Sequence, residues 1–218
     1  MKKLIVVCVF ITLAGCSNKI DRTALYGYVN INLPNIKGMT ECATHPNIQL
    51  MVQQYLSAGP VLGYYLNNET YKQIEQIKPG ETSFSDYFMI YGDYLRENYH
   101  AVKSDLELME KSLEQTLFEG TTYEQISSKI EEVYGAITPG RPALIEKYSP
   151  RDNVLAMIVL IKYKSGTQET SVLSAVNCIL LKNRLITMAY YSTYNGGQSI
   201  EALKGKNNEA IGKLMEAN

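Results

Sequence analysis

The chain has 218 residues, 45% of them hydrophobic, with 21 basic and 22 acidic side chains and a formal net charge of −1. That length suits one domain with a substantial core. No Lys/Arg cluster stands out, so the electrostatic footprint of nucleic-acid binding is missing and no nucleic acid is expected as a partner.

Lys2 and Lys3 precede an apolar run, Leu4 to Leu13, interrupted only by Thr12. A helix needs roughly 20 apolar residues to span a bilayer, so this run is too short and has the length of a signal-peptide core. Its end, Leu13-Ala14-Gly15-Cys16, resembles the lipobox of bacterial lipoproteins. The resemblance implies that residues 1–15 are a signal peptide, cut before Cys16, and that the Cys16 thiol is diacylated. Two or more acyl chains hold a protein stably on a membrane without spanning it. Ser17 stands where an aspartate would favour inner-membrane retention in enteric lipoproteins. The expected place is therefore the outer membrane, facing the periplasm, or the cell membrane in an organism without an outer one. Residues 16–27 are mostly polar and read as the lipidated start and a tether, leaving 28–218 as one folded domain.

Val29 to Leu33 alternates apolar and polar as a short strand ended by Pro34. Pro46 opens a helix carrying Ile48, Met51, Val52 and Tyr55, and Gly59-Pro60 breaks it. Val61 to Leu66 is a strand, after which Asn68 caps a short helix with Tyr71, Ile74 and Ile77. Phe84 to Tyr91 is another strand. Ser104–Glu107 and Thr121–Glu124 fit the capping box, so two helices are expected. The first bears Leu106, Met109, Leu113 and Leu117, the second Ile126, Ile130 and Val133, with Gly120 between them. Both stripes read as core packing.

Ala143–Tyr148, Val154–Tyr163, Val172–Leu181 and Leu185–Tyr194 read as strands. Gly166 and Lys182-Asn183-Arg184 mark turns short enough to require antiparallel neighbours. In the strand from Val154 both parities are apolar, whereas an antiparallel sheet with one wet face should alternate. Both faces must be covered, by the preceding helices and by a last one, Ser199–Glu216. The expected fold class is α+β, an antiparallel sheet with helices on both faces. A closed barrel is the rival that these helices argue against.

The "INLP" strand, "VLGYYLNNETYKQI", the strands "SVLSAVNCILLKNRLITMAYYSTY" and the closing "SIEALKGKNNEAIGKLM" together resemble the PsbP-like α/β/α sandwich. That fold is shared by DcrB-type lipoproteins, PsbP and the Mog-type Ran-binding protein. The resemblance implies a non-enzymatic domain that binds other proteins, and it carries over no individual site residue.

The chemistry-bearing residues are few. Cys42 and Cys178 are left in a compartment where disulfides persist, and a bridge between them would contribute about 4–5 kcal/mol in the chain-entropy model. The alternative is two unrelated thiols, with Cys178 a small core residue. Cys42 and His45 are three apart, but no second close pair completes a zinc site, and no third group makes them a nucleophilic pair. His100 reads as an exposed turn residue. Asn195-Gly196-Gly197-Gln198 could present amides to an anion, or simply link strand to helix. No nucleophile elbow or phosphate loop is present, so no enzyme, metal or cofactor is expected. The leading expectation is a membrane-anchored lipoprotein with a protein-binding or envelope-accessory domain. The alternatives are a lipid or small-ligand carrier, with Met157, Met188 and Tyr190 lining its cavity, and a toxin-immunity lipoprotein.

Overall fold

The computed structural model describes residues 20–55, 59–76, 85–118, 137–165 and 168–218. In chain order these form β1 (Ile20–Tyr26), β2 (Val29–Pro34), β3 (Met39–Glu41), α1 (Pro46–Tyr55), β4 (Val61–Asn67), α2 (Asn68–Tyr71) and a 3-10 turn (Ile74–Gln76). There follow β5 (Tyr87–Tyr91), α3 (Lys103–Phe118), β6 (Ile137–Pro139), β7 (Ala143–Arg151), β8 (Val154–Ser165), β9 (Gln168–Leu181), β10 (Arg184–Thr193) and α4 (Gln198–Glu216).

Strands β3 to β10 make one eight-stranded sheet in the order β3-β4-β5-β10-β9-β8-β6, and β7 also pairs with β8. Each pairing is antiparallel, and β1 and β2 form a separate antiparallel hairpin. The register aligns Met157, Val176, Ala189, Met89 and Tyr64 in one row across the sheet. The next row is Ala156, Asn177, Met188, Ile90 and Gly63. Side chains of adjacent rows point to opposite faces.

Both faces are buried, which is why β8 is apolar at both parities. On one face Ile158, Ile179, Met188 and Phe88 pack against Leu203, Ile211 and Leu214 of α4 and Ile31 and Leu33 of the hairpin. On the other, Cys178 and Leu185 pack under Ala101, which precedes α3, and Leu106 in its first turns. Nearer the β3 edge, Tyr64, Leu66 and Met89 pack against Cys42, Ile48 of α1 and Ile74. The molecule is therefore α+β with helices on both sides of an antiparallel sheet.

Several boundaries differ from the sequence reading. Within the stretch 16–27 expected to be a tether, Ile20–Tyr26 forms strand β1 instead, with Ala24 and Tyr26 buried. The folded domain thus includes residues from Ile20 onward rather than from 28. β1 escapes notice because its outward side chains, Asp21 and Thr23, make it read as polar. Asn67, not Asn68, caps α2, its side chain accepting from the Thr70 N–H at 2.9 Å. Helix α3 starts one residue before Ser104, and the carboxylate that reaches back is Asp105, accepting from the Val102 N–H at 2.8 Å. Phe84, Ile77, Gly120, Gly166 and the helix expected from Thr121 lie outside the described residues, as does Cys16.

Candidate functional site

At one end of the sheet, the β1–β2 turn meets the segment that follows β5. Gly27 and Tyr28 take φ of 48° and 62°, the two positive values of a type I′ hairpin turn. Glycine is obligatory at 27 for a second reason, since a Cβ there would lie 1.4 Å from the Glu97 carbonyl oxygen. The Tyr26 hydroxyl donates to the Asp93 carbonyl at 3.1 Å and accepts from the Asp93 N–H at 3.0 Å. Arg184, at the start of β10, donates from Nη2 to the Gly27 carbonyl at 2.7 Å and from Nη1 to the Tyr99 carbonyl at 3.0 Å. The Ala101 N–H donates to the Asn183 carbonyl in the β9–β10 turn. The Tyr99 hydroxyl donates to Asp105, whose negative charge and hydrogen bond push the phenol pKa up.

This hydrogen-bonded frame holds apolar side chains in solvent. Tyr28 is 86% exposed and Leu95 95% exposed, and Leu25, Tyr94, Tyr99 and Val102 are exposed beside them. Six large apolar residues at one pole exceed the scattered singles ordinary on a surface. Aromatic side chains with hydroxyl tips suit surfaces that are dry when occupied and wet when free. The surrounding charges are mixed in sign: Asp93, Glu97 and Asp105 against Arg96, Lys103 and Lys182.

Elsewhere on the molecule lie two grooves of about 410 Å³ each. In one, Asp86 (φ 90°) accepts from the Tyr190 hydroxyl at 2.5 Å and from Lys206 at 2.8 Å, on the same carboxylate oxygen. Tyr190 stacks on Phe88 with centroids 4.1 Å apart, and burial, then Asp86, drives its pKa up. The three groups satisfy one another and clamp α4 to β5 and β10. In the other, Glu41 takes a two-point ion pair from Arg22, at 2.8 and 3.1 Å, and accepts from the Ala43 and Tyr64 N–H groups. Arg22 also donates to the Leu62 carbonyl, so this cluster ties the hairpin to the sheet edge.

The possible disulfide is not formed: Cys42 and Cys178 are both free and buried, as the alternative of two unrelated thiols has it. Cys42 bonds to β4 opposite Tyr64, whereas Cys178 lies on β9, four strands across. At ~4.8 Å per strand that separation is about 19 Å, far beyond the 7 Å a bridge permits. Burial pushes each thiol from 9.0 up to about 12. His45 lies 3.0 Å from Glu75 through Nε2, and its Nδ1 accepts from the Asn47 N–H. His100 is exposed. Among the described residues no group of three or more His, Cys, Asp or Glu could hold a metal ion. Met157 lies on one face of the sheet and Met188 and Tyr190 on the other, so the three cannot line one cavity. The Asn195–Gln198 link starts α4 with Gly196 at φ 100°, and the Asn195 N–H donates to Ser199 Oγ. The apolar pole was missed in the sequence because Leu25, Tyr28, Leu95 and Tyr99 belong to two segments far apart in the chain. The only local signal was an aromatic following a turn glycine.

No family model matches the chain, and no curated protein matches it. Among solved structures it is similar to a point mutant of the protein Mog1, at 12% identity over 92% of both chains with a TM-score of 0.40. It is also similar to the Saccharomyces cerevisiae Ran-binding protein Mog1p, at 12% identity over 91% of this chain and 93% of that one, with a TM-score of 0.37.

Proposed function

We propose that this chain is a lipoprotein, acylated at Cys16 and held on the outer-membrane surface, whose domain docks a protein partner through the apolar pole. The observation that carries the docking reading is the set of exposed side chains at Tyr28, Tyr94, Leu95 and Tyr99 on a rigid frame. A rigid apolar surface binds with little ordering cost, and aromatic anchors dominate protein interfaces. The lipobox-like Leu13–Cys16 supports the anchor, and the PsbP-like sequence resemblance supports a binding role over catalysis. Among the described residues no helix is long and apolar enough to cross a membrane.

The anchor is tested by growing cells with an alkyne fatty acid and comparing the wild type with Cys16→Ser. Label on the wild type and unprocessed, unlabelled precursor from the variant are expected, and a normally processed, unlabelled wild type refutes the assignment. Docking is tested with a photoreactive residue at position 95 and, as a control, at exposed Glu209 on α4. A discrete protein adduct confined to position 95 and lost with Tyr28→Asp supports the pole, and indistinguishable products from both positions refute it.

A further inference from the structure

The early start of β1 changes how the domain stands on its anchor. Only Ser17 to Lys19 separate the acylated residue from Ile20, in place of a tether reaching to residue 27. The four steps from Cys16 to Ile20 span at most about 14 Å when fully extended, so Ile20 stays close to the bilayer. β1 then runs from Ile20 to Tyr26. Six steps of ~3.3 Å put Tyr26, next to the turn at Gly27, about 20 Å from Ile20. The apolar pole is at the far end of that strand. Apart from Ile20 itself, the surface at the other end is mainly polar, with Asp21, Arg22, Asn35, Thr40, Glu41 and Thr44 lining its groove.

We infer that the pole faces away from the anchoring membrane and docks an apolar surface of a protein in the aqueous space, not the bilayer itself. This rests on the acylated anchor proposed above. Two further observations favour a protein over lipid as the occupant. A loop that inserts beside anionic headgroups is helped by a basic surround, whereas acids and bases balance at this pole. Lying flat on the membrane would press the outward side of the hairpin into it, and Asp21, Thr23 and Asn30 are exposed there, with Leu25 the apolar exception beside the turn. The pole is built from two loop segments beyond the ends of β1 and β5, so its partner offers a matching apolar surface with acceptors for the hydroxyls of Tyr28 and Tyr94.

The sequence contains no tryptophan, which gives a direct test. Leu95→Trp and Lys37→Trp each introduce a single fluorophore, one at the pole and one in the exposed turn between β2 and β3 near Ile20. The acylated chain is reconstituted on phosphatidylcholine/phosphatidylglycerol vesicles containing dansyl-labelled lipid. In a parallel arm, a chain with Cys16 replaced by an N-terminal histidine tag is held on nickel-chelating lipid. Stronger energy transfer from Lys37→Trp than from Leu95→Trp is expected in both arms, with Leu95→Trp emission unchanged from the free chain. Equal or stronger transfer from Leu95→Trp, or a blue shift of its emission on vesicles, overturns the orientation and assigns the pole to lipid. Failure to recover acylated chain rejects the anchor alone, because the nickel-lipid arm still reports whether the pole seeks the bilayer. In cells, a photoreactive residue at position 95 is expected to give a protein adduct. A phospholipid adduct overturns the inference, and no adduct at all rejects docking whichever way the domain stands.

Discussion

Asn177 on β9 and Asn207 on α4 exchange two hydrogen bonds, at 2.8 and 3.0 Å, with both side chains wholly buried. Asn177 also donates to the Met188 carbonyl, and Asn207 to the Tyr148 hydroxyl. An apolar helix face can slide along a sheet by a turn at modest cost, but a reciprocal amide pair is satisfied in one position only. The pair thus fixes the register of α4. Asn207→Ala is expected to destabilise the fold by about 2–3 kcal/mol, because the Asn177 amide is left buried without its partner. Urea unfolding checks this, and the double variant Asn177→Ala/Asn207→Ala should cost clearly less than the sum of the two single changes.

Arg22 and Glu41 join the hairpin to the sheet edge by an ion pair whose carboxylate side chain is only 5% exposed. Removing the cation strands a buried charge. Arg22→Ala is expected to cost about 2–4 kcal/mol, and Arg22→Lys to recover only part of it, because a point charge cannot make the two-point contact. Thermal unfolding of the three proteins at one pH gives the order.

Tyr28 occupies a left-handed turn position that Asn or Gly fills with less strain. Tyr28→Asn is therefore expected to stabilise the isolated domain by about 0.5–1 kcal/mol while abolishing the adduct at position 95. Gly27→Ala is expected to do the reverse, loosening the fold by more than about 2 kcal/mol, since its Cβ collides with the Glu97 carbonyl. Denaturation curves beside cross-linking yields separate the two roles. If Tyr28→Asn loses stability instead, the aromatic is part of the fold and not of a docking surface.

Cys42 and Cys178, at about 12 from 9.0, and Tyr91, at about 12 from 10.0, all ionise later in the folded chain than in the unfolded one, chiefly through burial. The unfolded state loses its protons first as pH rises. The stability these groups contribute is therefore intact below about pH 9 and falls as pH climbs towards 12. Unfolding free energies between pH 7 and 11 should decline accordingly. A thiol reagent at pH 8 should leave the native protein unmodified and label both described thiols once it is denatured. Thiols that label rapidly in the native state contradict the burial.

Much of the fold was readable because its signals are local. The two-sided apolar character of Val154–Ile161 demanded cover on both faces, and the short Lys182-Asn183 turn demanded antiparallel pairing; both are met. β1 was not readable, since only Ala24 and Tyr26 mark its inner side. The Cys42–Cys178 distance was not readable either. Sequence separation does not report how many strands intervene, and here β4, β5 and β10 do.

The sequence by itself determined the class of the fold, the antiparallel hairpins and the apolar face of α4, because periodicity and turn chemistry act over a few residues. It also carries the Leu13–Cys16 motif on which the anchor proposal rests. Only the tertiary structure decided that Tyr28 and Leu95 share one pole, that Met157 and Met188 lie on opposite sides of the sheet, and that both thiols stay free. Those facts depend on strand order and on how the hairpin docks, which arise from packing among residues distant in the chain and leave no mark on any short segment.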